Sequence, residues 1–189
     1  DPQLCKPLER PPSGAGWVHE IKFDGYRIQA RIENGKAVLS PRKGLDWTRK
    51  FSAIAAAASH LPESIIDGEI VALDHDGAPD FAALQAALSD EETDQLIFFV
   101  FDLLFADGED LRSLPLSERK ARLEAMLAKK CRGKQPLIRY VEHFGTGGDA
   151  VLQSACRMSL EGIVSKRQDA PYHSGRGNDW TKSKCRAGH

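Results

Sequence analysis

The fold class this sequence predicts is α+β, with largely antiparallel sheets and packed helices. Three observations lead there. Segments alternating apolar and polar residues with period two come in groups. Segments with helical spacing are short and scattered between those groups. An Asn34-Gly35 pair, the strongest two-residue hairpin signal, joins two of the alternating segments. A chain of 189 residues can bury about 70% of its unfolded surface as one domain. Its 41% hydrophobic content and mixed charge exclude disordered and collagen-like classes.

Along the chain, residues 1–16 hold Pro2, Pro7, Pro11 and Pro12 and read as a linker or strapped-down coil. The domain proper is placed at 17–189. Residues 17–23 and 26–32 alternate as half-buried strands, and Asn34-Gly35 turns the chain into a strand at 36–40. The Ala-rich stretch 50–61 has apolar positions at helical spacing. Residues 65–73 are β-branched and predict a strand. Phe81, Leu84, Gln85 and Leu88 recur at helical spacing behind Asp80, a suitable N-cap. The most apolar segment, 96–105, predicts a central strand. A helix is expected from Ser117 to about Lys130, with Lys120 where a capping box would put Glu. Strands at 137–144, 161–167 and 180–184 and a helix at 149–160 complete the pattern.

The net charge of -1 removes the simplest argument for nucleic-acid binding, because DNA-binding domains carry a basic surplus. DNA contact would have to come from a local surface: Arg42, Lys43, Arg49 and Lys50, or Lys166, Arg167, Arg176, Lys182 and Lys184. Such clusters are also what an ordinary solvated face looks like. Cys5, Cys131, Cys156 and Cys185 show no zinc spacing and fit reduced thiols of a cytoplasmic protein better than a disulfide scaffold. No apolar run approaches the roughly 18 residues of a membrane span, so no membrane contact is expected, and the chain is expected to be monomeric.

One string carries chemistry: Glu20-Ile21-Lys22-Phe23-Asp24-Gly25-Tyr26-Arg27. As residue types alone it fits a strand end followed by a tight turn. A lysine becomes a nucleophile when desolvation or a nearby cation favours its neutral amine. A lysine leaving an apolar strand into a glycine turn sits where a ligand can approach the backbone closely.

Lys22-Phe23-Asp24-Gly25 resembles motif I of the covalent nucleotidyltransferases, the DNA ligases, RNA ligases and mRNA capping enzymes. Further motifs follow in order. Arg42-Lys43-Gly44 resembles motif Ia, Asp67-Gly68-Glu69 motif III, and Phe99-Val100-Phe101-Asp102 motif IIIa. Glu161-Gly162-Ile163-Val164-Ser165-Lys166 resembles motif IV, and Trp180-Thr181-Lys182-Ser183-Lys184 motif V. The likeness runs from about Trp17 to Lys184. In flavour it is most similar to the adenylation domain of ATP-dependent DNA ligases, within them the ligase module of bacterial non-homologous end-joining proteins. Pro41 departs from the Ser or Thr usual before the arginine.

The resemblance implies an ATP-grasp-like nucleotidyltransferase fold and the following roles. Lys22 takes AMP from ATP as a phosphoramidate, and AMP then passes to the 5′-phosphate of nicked duplex DNA. Lys182 and Lys184, on one face of a strand, would reach one phosphate and offset charge in the transition state. Glu69 and Glu161 would hold Mg²⁺ or Mn²⁺, with a salt bridge to Arg27 or Lys182 as the alternative for Glu69. Asp24 would orient the metal or the departing hydroxyl, or simply cap its turn. Phe101 would stack on adenine, with Phe99 as fallback. Glu20 and Ile21 belong to the segment that reads the adenine edge. Arg27 and Arg42 would bind ribose, phosphate or the DNA end, and Lys166 would complete the nucleotide site.

In the resembling family motif V leads into an OB-fold domain; the five residues after Lys184 are too few to hold it, so that domain is expected to be absent here and to lie C-terminal in a full-length chain. Residues 1–189 alone are then expected to adenylate slowly and to seal nicks poorly. The resemblance further implies a bacterial, nucleoid-associated location, Ku-like end-binding proteins and a fused polymerase or nuclease domain. Two rivals stand beside this reading. One is an RNA ligase or capping guanylyltransferase, which ATP-versus-GTP labelling separates; the other is a catalytically idle binding module, against which Lys22, Glu161, Lys182 and Lys184 argue.

Overall fold

The computed structural model of the protein describes residues 1–130 and 136–186. Two sheets form the framework, with helices packed on each of them. The larger sheet holds β3 (Tyr26–Glu33), β4 (Lys36–Pro41), β5 (Ser64–Val71), β6 (Ile97–Ala106) and β7 (Glu109–Asp110). Its order is β4-β3-β5-β6-β7, all antiparallel, and β8 (Ile138–Tyr140) pairs with β6 in parallel. The smaller sheet has the order β1-β10-β9-β2, from β1 (Gln3–Pro7), β2 (Trp17–Lys22), β9 (Gly162–Arg167) and β10 (Gly175–Lys184).

The main core lies under the larger sheet. Alternate residues of β3, Ile28, Ala30 and Ile32, are fully buried there with Ile66, Phe98 and Val100. Against them pack Phe51 from a 3₁₀ turn (Thr48–Phe51), Ile54 and Ala58 from α1 (Ser52–Ala58), Leu84 from α2 (Phe81–Ser89), and Leu123 and Leu127 from α3 (Leu116–Lys130). Asp80 caps α2 by accepting a hydrogen bond from the Ala83 amide at 3.0 Å, as its position predicts. The Asn34-Gly35 turn has φ of 53° and 72°, the left-handed pair of a type I′ hairpin. The second, smaller core of Leu104, Tyr172 and Trp180 lies towards the smaller sheet.

Three expectations need correction. Residues 3–7 are a strand, not coil. Proline is tolerated because β1 is an edge strand of its sheet, pairing only with β10. The strand expected at 137–144 shrinks to β8, because the chain then crosses between sheets: Val141 donates to the Val100 carbonyl, and Phe144 bridges to His19 on β2. Finally, the cysteines are not all free thiols. Cys156, at the end of α4 (Gly148–Arg157), forms a disulfide with Cys185. A sequence separation of 29 hides that proximity, but α4 and β10 both pack on β9. Cys5 is free, and Cys131 lies outside the described residues.

A buried ion pair ties the layers together. Arg119 of α3 donates to both oxygens of Asp102 on β6, at 2.8 and 3.0 Å, and to the carbonyls of Leu114 and Ala170. Among the described residues no helix is long and apolar enough to cross a membrane.

Candidate active site

Between the two sheets lies a cavity of about 200 Å³. Glu20, Ile21 and Lys22 reach it from β2, and Arg27 from β3. Arg42, just past β4, and Glu69 of β5 line it, as do Phe101 of β6, Lys166 of β9 and Lys182 of β10. The sequence reading missed Leu4 and Cys5, which line it because β1 is a strand. It also placed Arg176 only in a basic surface cluster, whereas the side chain borders the cavity. Burial pushes the Cys5 thiol up despite four nearby cations, so it is a poor nucleophile.

Asp24, Glu161 and Lys184 stand outside that lining. Lys22 Nζ is 2.9 Å from Glu161 Oε1, and Lys184 Nζ reaches the same oxygen at 3.4 Å. Lys184 therefore comes to Lys22 through a shared carboxylate. Lys182 and Lys184 do share a strand face, with Thr181 and Ser183 buried on the other side. Glu161 is not in the strand but immediately precedes β9. Its Oε2 is buried without a hydrogen-bond partner.

Glu20 is buried and doubly paired. Lys120 Nζ donates to its Oε2 at 2.5 Å and Lys166 Nζ to its Oε1 at 2.7 Å. Burial works against the charged carboxylate, but the two ammonium groups outweigh it and hold Glu20 below the ordinary carboxylate range. Lys120 was legible only as an odd residue at a capping position.

Arg27 does not pair with Glu69. It donates from Nε and Nη2 to the two oxygens of Asp67, at 2.7 and 2.6 Å, and Tyr172 donates its hydroxyl to Asp67 as well. One edge of the guanidinium is thus committed, while its carbon lies 5.0 Å from the Phe101 ring centre and 5.4 Å from that of Trp180. Phe101 is set by a bulge: β5 pairs Asp67 with Asp102 and Gly68 with Val100, so Phe101 is the extra residue. Phe99 also lines the cavity but stacks on Phe23, ring centres 4.2 Å apart.

Glu69 is pushed up to about 7, by burial first, with Asp67 and Glu161 adding to it and Arg27 and Lys22 opposing. In the unfolded chain the same group titrates near 4.5. The folded state therefore keeps a proton that the unfolded state has released, and stability falls as pH rises from about 4.5 to about 7. Glu69→Gln should flatten that slope, worth roughly 1–3 kcal/mol. Urea unfolding at pH 5 and pH 8 checks it; equal slopes for both proteins would show that Glu69 ionises normally.

Two of the motif glycines, Gly25 and Gly162, serve close packing of the chain itself. A side-chain carbon at Gly25 would meet the Ile70 carbonyl, and one at Gly162 the Ser183 carbonyl and Lys184 Cα. The turn after Lys22 is thus tight because β5 lies against it.

One cavity thus carries cations suited to phosphate oxygens and apolar and aromatic surface suited to a base. A lysine bordering it is held by a carboxylate at the cavity's edge. The chain matches the family model described as ATP dependent DNA ligase domain over residues 2–184. It is 43% identical over 186 residues to the multifunctional non-homologous end joining protein LigD of Pseudomonas aeruginosa, covering 97% of this chain and 22% of that protein. It is 28% identical to the SPbeta prophage-derived DNA ligase-like protein LigB of Bacillus subtilis, covering 96% of this chain and 66% of that one. Among solved structures, a mycobacterial DNA ligase D complexed with ATP and MES superposes with a TM-score of 0.81 at 29% identity, covering 97% of this chain and 59% of that one.

Proposed function

Because the chain belongs to the family of ATP-dependent DNA ligase domains, we propose that it is the adenylation domain of such a ligase, with Lys22 as the nucleophile. The observation that carries this is the placement of Lys22: its amine borders the cavity and is paired with Glu161. Once the ammonium has given up one proton to solvent, Nζ attacks the α-phosphorus of ATP, and the nitrogen sheds a second proton to solvent as it bonds. The N–P bond forms, the bond from that phosphorus to the bridging oxygen breaks, and pyrophosphate leaves with the electron pair. Lys182 and Arg42 line the same cavity and bind the phosphates, offsetting the negative charge that grows in the transition state. The 5′-phosphate of nicked duplex DNA then takes AMP from Lys22.

The residues fit a divalent cation, Mg²⁺ or Mn²⁺. Among the described residues no three carboxylate, histidine or cysteine groups gather to hold one alone, but Mg²⁺ usually needs only one or two carboxylates plus phosphate and water. The buried, unpartnered Oε2 of Glu161 would be such a ligand, and Glu69 would be the second. When bound, the cation would neutralise phosphate charge and compete with Lys22 for Glu161. The finer assignments rest on the family. They are an OB-fold unit beyond residue 184, and a longer protein with polymerase or nuclease units acting with a Ku-like partner. The multifunctional end-joining name of the Pseudomonas relative supports a longer protein with further units, since the chain spans about a fifth of that protein's length; the OB-fold unit and the Ku-like partner rest on the resemblance alone.

The decisive test is intact-protein mass after incubation with ATP and Mg²⁺, where one AMP should be added. GTP should add nothing. A second test concerns the base. Phe101→Ala should weaken ATP binding by roughly 1–3 kcal/mol, because its ring forms part of the cavity beside Trp180. Phe99→Ala should weaken it less, since Phe23 already covers one face of Phe99. Nucleotide affinity and thermal unfolding measured together decide it. A Phe101 variant that loses stability but keeps its affinity when folded would remove the stacking role.

A further inference from the structure

The lysine buried behind the cavity has no part in the reaction as described. Lys120 is 1% exposed, reaches from α3 to Glu20 on β2, and does not line the cavity. Burying a lysine costs several kcal/mol unless it is fully paired, and this one is: besides Glu20 it donates to the Val141 carbonyl at 3.0 Å and lies 4.9 Å from the Tyr140 ring centre. We propose that Lys120 is a positioning residue that fixes Glu20 and Lys166 as a base-reading pair and so sets the preference for adenine over guanine. The inference rests on the nucleotide reading above.

The chemistry follows from donors and acceptors. Both Glu20 and Lys166 line the cavity and bond to each other. An ionised carboxylate only accepts and an ammonium only donates. Adenine presents an amino donor beside a ring-nitrogen acceptor, which complements that pair; guanine presents the reverse. The pair reads a base only if each group keeps its place. Lys166 is steadied by the rings of Phe101 and Trp180, 4.1 Å from each centre. Glu20 is steadied by Lys120, which takes Oε2 and leaves Oε1 to Lys166. Without Lys120, Glu20 can turn both oxygens towards Lys166, and each group is withdrawn from the base.

The test is equilibrium binding of ATP and of GTP to the 189-residue chain, with AMP-adduct formation followed by mass in parallel. Wild type should favour ATP by at least about tenfold. Lys120→Met should weaken ATP about tenfold and GTP by less than about threefold, while the AMP adduct still forms at saturating ATP. Lys120→Arg, which keeps the charge, should restore most of the preference. A merely structural lysine would weaken both nucleotides alike. A folded Lys120→Met protein with the wild-type ATP/GTP ratio overturns the proposal. If that variant does not fold, Lys120→Gln is read by the same ratio, since its shorter, uncharged side chain does not hold Glu20 Oε2 and the Val141 carbonyl as the ammonium does. A wild-type chain that binds neither nucleotide would instead remove the functional reading on which the proposal stands.

Discussion

Lys22→Arg should abolish the AMP adduct while leaving the fold in place. Arginine preserves the positive charge that pairs with Glu161, so neither the cavity's electrostatics nor the edge carboxylate is left unbalanced. What it lacks is an amine that can deprotonate, because a guanidinium stays charged throughout the accessible pH range. Lys22 is 22% exposed and belongs to neither hydrophobic cluster, so thermal unfolding should shift by no more than a few degrees. Covalent labelling should fall by at least about a thousandfold, the scale on which loss of an essential nucleophile registers. ATP should still bind, since the remaining contacts are untouched. Labelled adduct surviving in the arginine protein would transfer the nucleophile's role elsewhere, and peptide mapping would then have to look at Lys182 and Lys184 first.

The largest stability effect should come from the ion pair buried behind the cavity. Arg119→Met removes a fully buried guanidinium from Asp102 and strips the carbonyls of Leu114 and Ala170 of a donor. Methionine fills much of the volume, so the cost is chiefly that of a buried carboxylate without a partner, about 3–5 kcal/mol. For a chain of this size that lowers the melting temperature by roughly 6–20 °C. Asp102→Asn/Arg119→Met should recover part of the loss, because it removes the stranded charge together with its partner. Thermal unfolding of the single and double variants measures this directly. A single variant within 2 °C of wild type would show that the pair contributes little.

The two predictions differ in how far their residues were visible before folding. Lys22 stands in a linear string, and its neighbours in chemistry also stand in strings, so nine of the proposed residues could be named and then seen lining one cavity. Strands and helices were legible for the same reason: Ile28, Ala30 and Ile32 alternate, and Asp80 precedes a helical repeat. Pairings across long separations were not. Nothing about Arg27 says that it will choose Asp67 rather than Glu69, since the two carboxylates differ by two residues on one strand. That choice is made by the register of β3 on β5 and by Tyr172 arriving 105 residues later. Lys120 and Glu20, 100 residues apart, meet for an equally non-local reason. Phe101 owes its position to a bulge, an extra residue that period-two reading passes over.

The pairing of β1 with β10 has a consequence for how occupancy can be observed. Gln3 and Leu4 sit opposite Gly175 and Arg176, so some 170 residues must be looped before that edge can close. Loop closure of such length is among the slower steps available to a domain, and an edge strand with irregular pairing is an early candidate to open again. Yet Leu4 and Cys5 form part of the cavity wall. A nucleotide lodged there would hold that edge strand shut. Amide hydrogens of Cys5 and Lys6 should therefore exchange more slowly when ATP is bound, turning the first few residues of the chain into a reporter for a site whose proposed nucleophile lies on another strand.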